Sequence, residues 1–435
     1  MNQTTQTLLE FIRRCPTAYQ TVEEIEKILL PLGFENLSVS SASIKPGGKY
    51  YLTNNRSSII AFIIPESFTP VFSIMASHTD SPTFKIKEKG EREAGNYIIL
   101  ETERYGGPIL STWLDRPLSL AGRAIVRKEQ SDGSAVFVSE SIVFDRDLLV
   151  IPNAPIHLQR SLNEGYQYQL NVDFMPLLSD KRKVPTLQAM SAEVLGVTPE
   201  DILSLDLYLT NRTQACIFGA NGEFFASPRI DNLQCVYGTL QGFLQSTPQE
   251  NISVFAAFDS EEIGSATKMG AESMFLLDTL NQIANNLNFD CQSAIRSSVM
   301  ISADNAHAVH PNHPELSDTK RAPILNGGIV LKHQASQKYT TDALSSAVVT
   351  EVARRANVPL QYYANRSDLP GGSTLGSIAT TKVGMTAADI GMAQLAMHSS
   401  YETAGSEDTD YLIQFSRCFY ESKCRLKEDG IIKFY

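Results

Sequence analysis

Apolar positions recur at helical spacing twice within the first forty residues. Leu8, Leu9, Phe11 and Ile12 form one face, which Pro16 stops; Val22, Ile25, Ile28, Leu29 and Leu32 form a second, with Thr17 placed to cap it and Gly33 to end it. After a turn at Pro46-Gly47-Gly48 the pattern shifts to short β-rich runs at 50–53, 57–64 and 71–76. From about Thr83 to Phe225 it breaks into short strands and loops with alternating basic and acidic positions, apart from one helical segment around 183–195. An α/β rhythm then returns. The continuous apolar run at 252–258 reads as a strand buried on both faces, followed by a helix at 271–287, and 299–303 reads as a second such strand. Segments 343–356 and 408–424 read as covering helices. The pattern predicts one α/β domain interrupted by a mainly β insertion.

Composition agrees with a folded, water-soluble chain: 435 residues, 43% hydrophobic and 20% charged, a length that favours two domains. The net charge of −11 lacks the basic field that sequence-independent nucleic-acid binding requires. No apolar run reaches membrane-spanning length, and the N-terminus places its positive charges after a short apolar stretch, the reverse of a secretory signal. Six scattered cysteines without a CxxC pair read as reduced thiols. The expectation is a cytoplasmic protein with neither nucleic-acid nor membrane partners.

The chemistry sits just after the apolar strands. One ends in Ser77-His78-Thr79-Asp80, another in Asp259-Ser260-Glu261-Glu262, a third in Asp304-Asn305. Ligands of open α/β sheets bind beyond the carboxyl ends of the strands, so these segments should converge. Asp231 and His398 join them, giving the imidazole and carboxylate donors that suit zinc or a similar divalent ion. If Asp231 bridges two ions, one takes His78 and Asp304 and the other Glu262 and His398. Such a pair acidifies a shared water and polarises a carbonyl. Glu261 is then free to act as general base and later as acid toward a leaving amine, and Asp80 to fix the tautomer of His78. His307, His310 and His313 also recur at short spacing, but Pro311 and Pro314 break any helix that would align them. No single piece decides the reading; the combination does.

That combination resembles the aspartyl aminopeptidase family of di-zinc metallopeptidases. The resemblance runs along the chain through GGKYY (47–51), SHTDSP (77–82), YGG (105–107), TWLDRPLSLAGR (112–123), IPNAPIHLQR (151–160), SPRIDNL (227–233), FDSEEIGS (258–265), SADNAHAVHPN (302–312), GGSTLG (371–376) and QLAMHS (394–399). It implies a zinc-exopeptidase-like mixed sheet covered by helices, split as 1–88 and 228–435 around an inserted dimerisation domain at 89–227. It implies two divalent ions, zinc with cobalt or manganese as alternatives, on His78, Asp231, Glu262, Asp304 and His398, with Glu261 as base and Asp80 as orienting carboxylate. It further implies a dimer-based homo-dodecamer in which His157 reaches a neighbour's active site, and it makes Lys332 the candidate cation for an acidic side chain. The implied activity is removal of N-terminal residues from peptides, with Asp or Glu preferred.

The chain departs from the family pattern at Ser260, at Pro117, after Lys332 (KHQASQKY) and at Tyr401, without losing a ligand or the base. Two other functions use or keep the same fold. In a carboxypeptidase or amide deacylase the inserted domain falls between the later carboxylate ligand and the final histidine; here the long insertion precedes Asp231. A non-catalytic scaffold would have lost a ligand or the base.

Overall fold

The structure is a computed structural model that describes residues 2–38, 43–182, 185–369 and 371–435. Its largest sheet has nine strands in the order Glu35–Asn36, Lys49–Asn54, Ser58–Ile63, Asn251–Phe258, Thr69–His78, Val299–Ala303, Thr386–Gly391, Ile329–His333 and Leu360–Ala364. The four strands from Asn251–Phe258 to Thr386–Gly391 run parallel, and each flanking neighbour, Ser58–Ile63 and Ile329–His333, runs antiparallel to them. This is the expected mixed α/β sheet. Asn251–Phe258 and Val299–Ala303 are buried throughout because helices cover both faces.

Alternate residues of one strand feed opposite cores. Phe255 and Ala257, with Met75, pack against Leu8, Val22, Leu240, Val349 and Phe415 from the helices on one side. Val254, Ala256 and Phe258, with Ile74, pack against Leu276, Leu280, Ile295 and Leu375 on the other. The two N-terminal helices form as Gln3–Arg14 and Ala18–Leu29, and Gly33 closes the following turn at φ +81. Thr17 does occupy the cap position, but its hydroxyl donates to the Gln20 side chain and makes no capping bond. The strand expected at 71–76 extends to Thr69–His78, which puts His78 on the sheet. The last helix ends at Glu421, since Cys424–Glu428 pairs with Ile431–Phe434 as a hairpin.

A second sheet of six strands runs in the order Ala135–Val143, Leu118–Glu129, Ile202–Asn211, Thr83–Ala94, Tyr97–Tyr105 and Leu177–Asp180. It has its own core around Phe84, Trp113, Phe174 and Leu207. Thr83–Ala94 runs through the boundary expected after residue 88, held by hydrogen bonds to Tyr97–Tyr105. At the other end, Cys216–Phe218 and Phe224–Ser227, both within the expected insertion, pair with each other and, through the latter, with Glu402–Gly405 in a third, five-stranded sheet separate from the six-stranded one. The helical segment expected from 183 forms as Leu187–Leu195; residues 183–184 lie outside the described residues.

The helix Ile230–Gln245 carries Asp231 near its start and lies on the helix Asp408–Glu421 through Gly238 and Gly242. A methyl group at Gly242 would meet Ser416 and sit 2.8 Å from the Arg417 nitrogen, where backbone cannot yield. Gly242→Ala is therefore expected to destabilise the protein by about 1–3 kcal/mol despite alanine's better helix propensity, read as a lowered thermal midpoint.

Candidate metal centre

Strand register brings the predicted segments together. His78 lies opposite Phe258 and Ala303 opposite Ile390, so the chain leaves four neighbouring strands at one edge of the sheet. His78 Nε2 is 3.4 Å from Asp231 Oδ1 and 3.5 Å from Asp304 Oδ1. His398 Nε2 is 3.7 Å from Asp231 Oδ2 and 3.6 Å from Glu262 Oε2. The two carboxylate oxygens of Asp231 thus face two different sets, each with one histidine and one further carboxylate.

The donors fit divalent ions. Zinc held by nitrogen and oxygen at about 2.1 Å in a tetrahedron places its ligand atoms about 3.4 Å apart, close to the spacings in both sets. Asp231 Oδ1 and Glu262 Oε1 are buried without a hydrogen-bond partner, a costly state for carboxylates that a cation would relieve. Donor atoms of His78, Asp231 and Glu262 all lie within 4.8 Å of one another. Electrostatics agree. Burial opposes charge on His78, yet Asp231, Asp304 and Asp80 hold its pKa well above the ordinary value. Burial, then the charge of Asp231 and Glu261, pushes Glu262 well up.

Two buried carboxylates fasten the ligands from behind. The carboxylate of Asp80 accepts the main-chain N–H groups of Glu261 at 3.1 Å and Glu262 at 3.2 Å, and the hydroxyl of Tyr105 at 2.8 Å. Toward His78 it is the Asp80 carbonyl oxygen that lies nearer Nδ1, at 3.0 Å, with the carboxylate at 3.4 Å. Asp80 therefore sets the position of the Glu261–Glu262 turn as well as that of the imidazole. Glu402, which the sequence reading did not single out, accepts the N–H of Asp231 at 3.0 Å and the N–H of His398 at 2.8 Å. Nothing in its local sequence distinguishes it; its role comes from pairing across the third sheet.

Glu261 lines a cavity of about 280 Å³ with Lys332, Tyr339, His307 and Thr374, beside both sets of donors. Burial, with Asp304 and Asp80 adding to it against the opposing pull of His78, pushes Glu261 up to about 8. Lys332 is fully enclosed: its ammonium donates to the Asn305 carbonyl at 2.8 Å, lies 3.4 Å from Asp304 Oδ2 and sits over the Tyr339 ring at 5.4 Å. Burial disfavours its charge, but Asp304 holds its pKa above the ordinary value. It thus stands both behind a donor and at the cavity wall. His157 does not join them. It is exposed on a turn of the long loop before Leu170 and does not line the cavity of its own chain. His307 reaches the cavity wall, whereas His310 and His313 lie away from it, with His313 paired to Glu315.

The family model described as aminopeptidase I zinc metalloprotease (M18) matches residues 11–420. The chain is 42% identical over 425 residues to a probable M18 family aminopeptidase 2 of Clostridium acetobutylicum, covering 95% of this chain and 97% of that protein. It is 35% identical over 460 residues to aspartyl aminopeptidase 1 of Schizosaccharomyces pombe, covering 98% and 96%. Among solved structures, a cryo-EM structure of the Ape4 and Nbr1 complex contains a chain similar at TM-score 0.91 and 34% identity, over 96% of this chain and 85% of that one.

Proposed function

The chain belongs to the aminopeptidase I zinc metalloprotease (M18) family and is a metallo-aminopeptidase; from that premise we propose that it uses two divalent ions to remove acidic N-terminal residues from peptides. The observation that carries this reading is the opposed placement of the two oxygens of Asp231 between His78 with Asp304 and His398 with Glu262. Zinc is the ion the donor set suits, with cobalt or manganese as substitutes. Ions held there supply Lewis-acid polarisation of the scissile carbonyl and an acidified water. The protein does the rest. Glu261, held at its main chain by Asp80, takes the proton from the attacking water and returns it to the leaving amine. Asp80 and Glu402 keep the ligands from reorienting.

Lys332 supports the acidic preference, because it is a cation at the wall of a small cavity that Glu261 also lines. The similarity to a protein named aspartyl aminopeptidase points the same way. The test is release of free amino acid from a panel of aminoacyl anilides in the presence of zinc, cobalt or manganese. Lys332→Met is expected to lower kcat/KM for aspartyl and glutamyl substrates about 10–100-fold more than for neutral ones, the worth of one charge-assisted hydrogen bond. Equal losses on both classes reduce Lys332 to a support for Asp304.

The insertion expected at 89–227, built around the second sheet whose strands lie between 83 and 211, is the proposed dimerisation domain, and the assembly the proposed dimer-based dodecamer. His157 supports this: it is exposed beside Ile156 and Leu158, themselves 45% and 81% exposed, and it does not line the cavity of its own chain, so a role at substrate requires an interface with another copy. Six cysteines without a disulfide support a reducing, cytoplasmic setting. No helix among the described residues is long and apolar enough to cross a membrane.

A further inference from the structure

The loop that carries His398 is strained and, besides the anchor of the His398 N–H on Glu402, is held from outside the catalytic domain. Ala396 and His398 both adopt left-handed backbone, at φ +54 and +68, which non-glycine residues keep only when their surroundings impose it. Those surroundings include the segment that follows the strand Tyr97–Tyr105 of the second sheet. The carbonyl of Gly107 lies 3.1 Å from His398 Nδ1, and the N–H of Ile109 donates to the His398 carbonyl at 2.9 Å. Thr112 accepts the N–H of Ser400 at its hydroxyl, 2.9 Å, and the hydroxyl of Ser400 at its carbonyl, 2.5 Å. Asn211, the last residue of Ile202–Asn211, donates to the Ser400 carbonyl at 2.7 Å. Gly106 sits against the other donor of the same set: at φ +72, a Cβ there would lie 3.1 Å from Glu262 Cβ.

The other half of the centre is built differently. His78 is the last residue of a central strand, and Asp304 directly follows another, so both are fixed by the nine-stranded sheet itself. We propose that residues 106–112 are a positioning element by which the inserted sheet completes the His398–Glu262 half of the metal centre; among the described residues they hydrogen-bond to neither His78 nor Asp304, a half that the same sheet reaches only indirectly, through the Tyr105 hydroxyl on Asp80. The insertion then does more than mediate contacts between chains. The seating of residues 106–112 sets the affinity for one of two ions, because the Gly107 carbonyl fixes which ring nitrogen of His398 faces inward and the Thr112 contacts fix the loop.

This inference rests on the two-ion reading, and the experiment separates the two. Chelator-treated full-length protein is titrated calorimetrically with zinc alone, as wild type, Thr112→Val, Thr112→Ser and Gly106→Ala, with far-UV circular dichroism and oligomeric mass as controls. Wild type is expected to take two zinc ions per chain. Thr112→Val, which keeps the side-chain shape but leaves the Ser400 N–H unpaired, is expected to take one ion with unchanged affinity and the other about 10–100-fold more weakly. Thr112→Ser, which retains the hydroxyl, is expected to bind as wild type. Gly106→Ala, which presses on Glu262 by a different route, is expected to weaken the same single ion and stands in if Thr112→Val fails to fold. Two ions bound by folded Thr112→Val with wild-type affinities, or both weakened equally, overturns the inference while sparing the two-ion reading. A single ion in wild type overturns that reading, and the inference with it.

Discussion

Glu261→Gln is expected to leave a folded protein that binds zinc as wild type does and turns over aspartyl anilide about 10²–10⁴-fold more slowly, the usual contribution of a general acid–base group. The two carboxylates of the Glu261–Glu262 turn are separated by their surroundings. Glu262 Oε2 faces His398 Nε2 at 3.6 Å, inside a donor set, whereas Glu261 lines the cavity beside the donors. The glutamine has the same shape, and the main-chain N–H of residue 261 still donates to Asp80, so the turn keeps its place. What it loses is the ability to accept a proton from water and return it to the departing amine. KM should therefore move little while kcat collapses, a split that a mere packing role does not produce. Measuring zinc content alongside the kinetics guards the interpretation: rates near wild type with zinc retained remove Glu261 from the proton path, and loss of zinc makes it a ligand.

How far the sequence anticipated this arrangement depends on the range of the interactions involved. The buried strands were legible because helices on both faces demand unbroken apolar runs, as at Asn251–Phe258. The convergence of His78, Glu262 and Asp304 was legible because residues just beyond parallel strands share one edge. Glu402 was not, since its link to Asp231 spans 171 residues and nothing local marks it. The limits of the second sheet were also obscure. Thr83–Ala94 has the same alternation whether it pairs with the catalytic sheet or with Tyr97–Tyr105, and only the pairing decides. Thr17 shows the limit at the smallest scale: the cap position was readable, but not the competing acceptor on Gln20.

Asp231→Ala is expected to reduce bound zinc toward none after dialysis, where His398→Ala reduces it toward one ion per chain. The difference follows from geometry. His398 faces one oxygen of Asp231 and one of Glu262, while Asp231 offers Oδ1 to the set with His78 and Oδ2 to the set with His398. Removing a shared ligand leaves each set with one histidine and one carboxylate, below the three protein ligands of catalytic zinc sites. Activity should fall by about 10³-fold or more, since Lewis-acid stabilisation is worth several kcal/mol. The main-chain links of residue 231, its N–H to Glu402 and its carbonyl to the hydroxyl of Ser81, survive the substitution, so loss of fold is not the expected cause. Thermal unfolding supplies an independent reading. Ions bound only to the folded state raise its stability in proportion to RT ln(1 + [L]/Kd), so a chelator should lower the wild-type midpoint and leave that of Asp231→Ala unmoved. A variant that keeps one ion at wild-type affinity shows that Asp231 serves one set only and breaks the symmetry on which the two-ion reading depends.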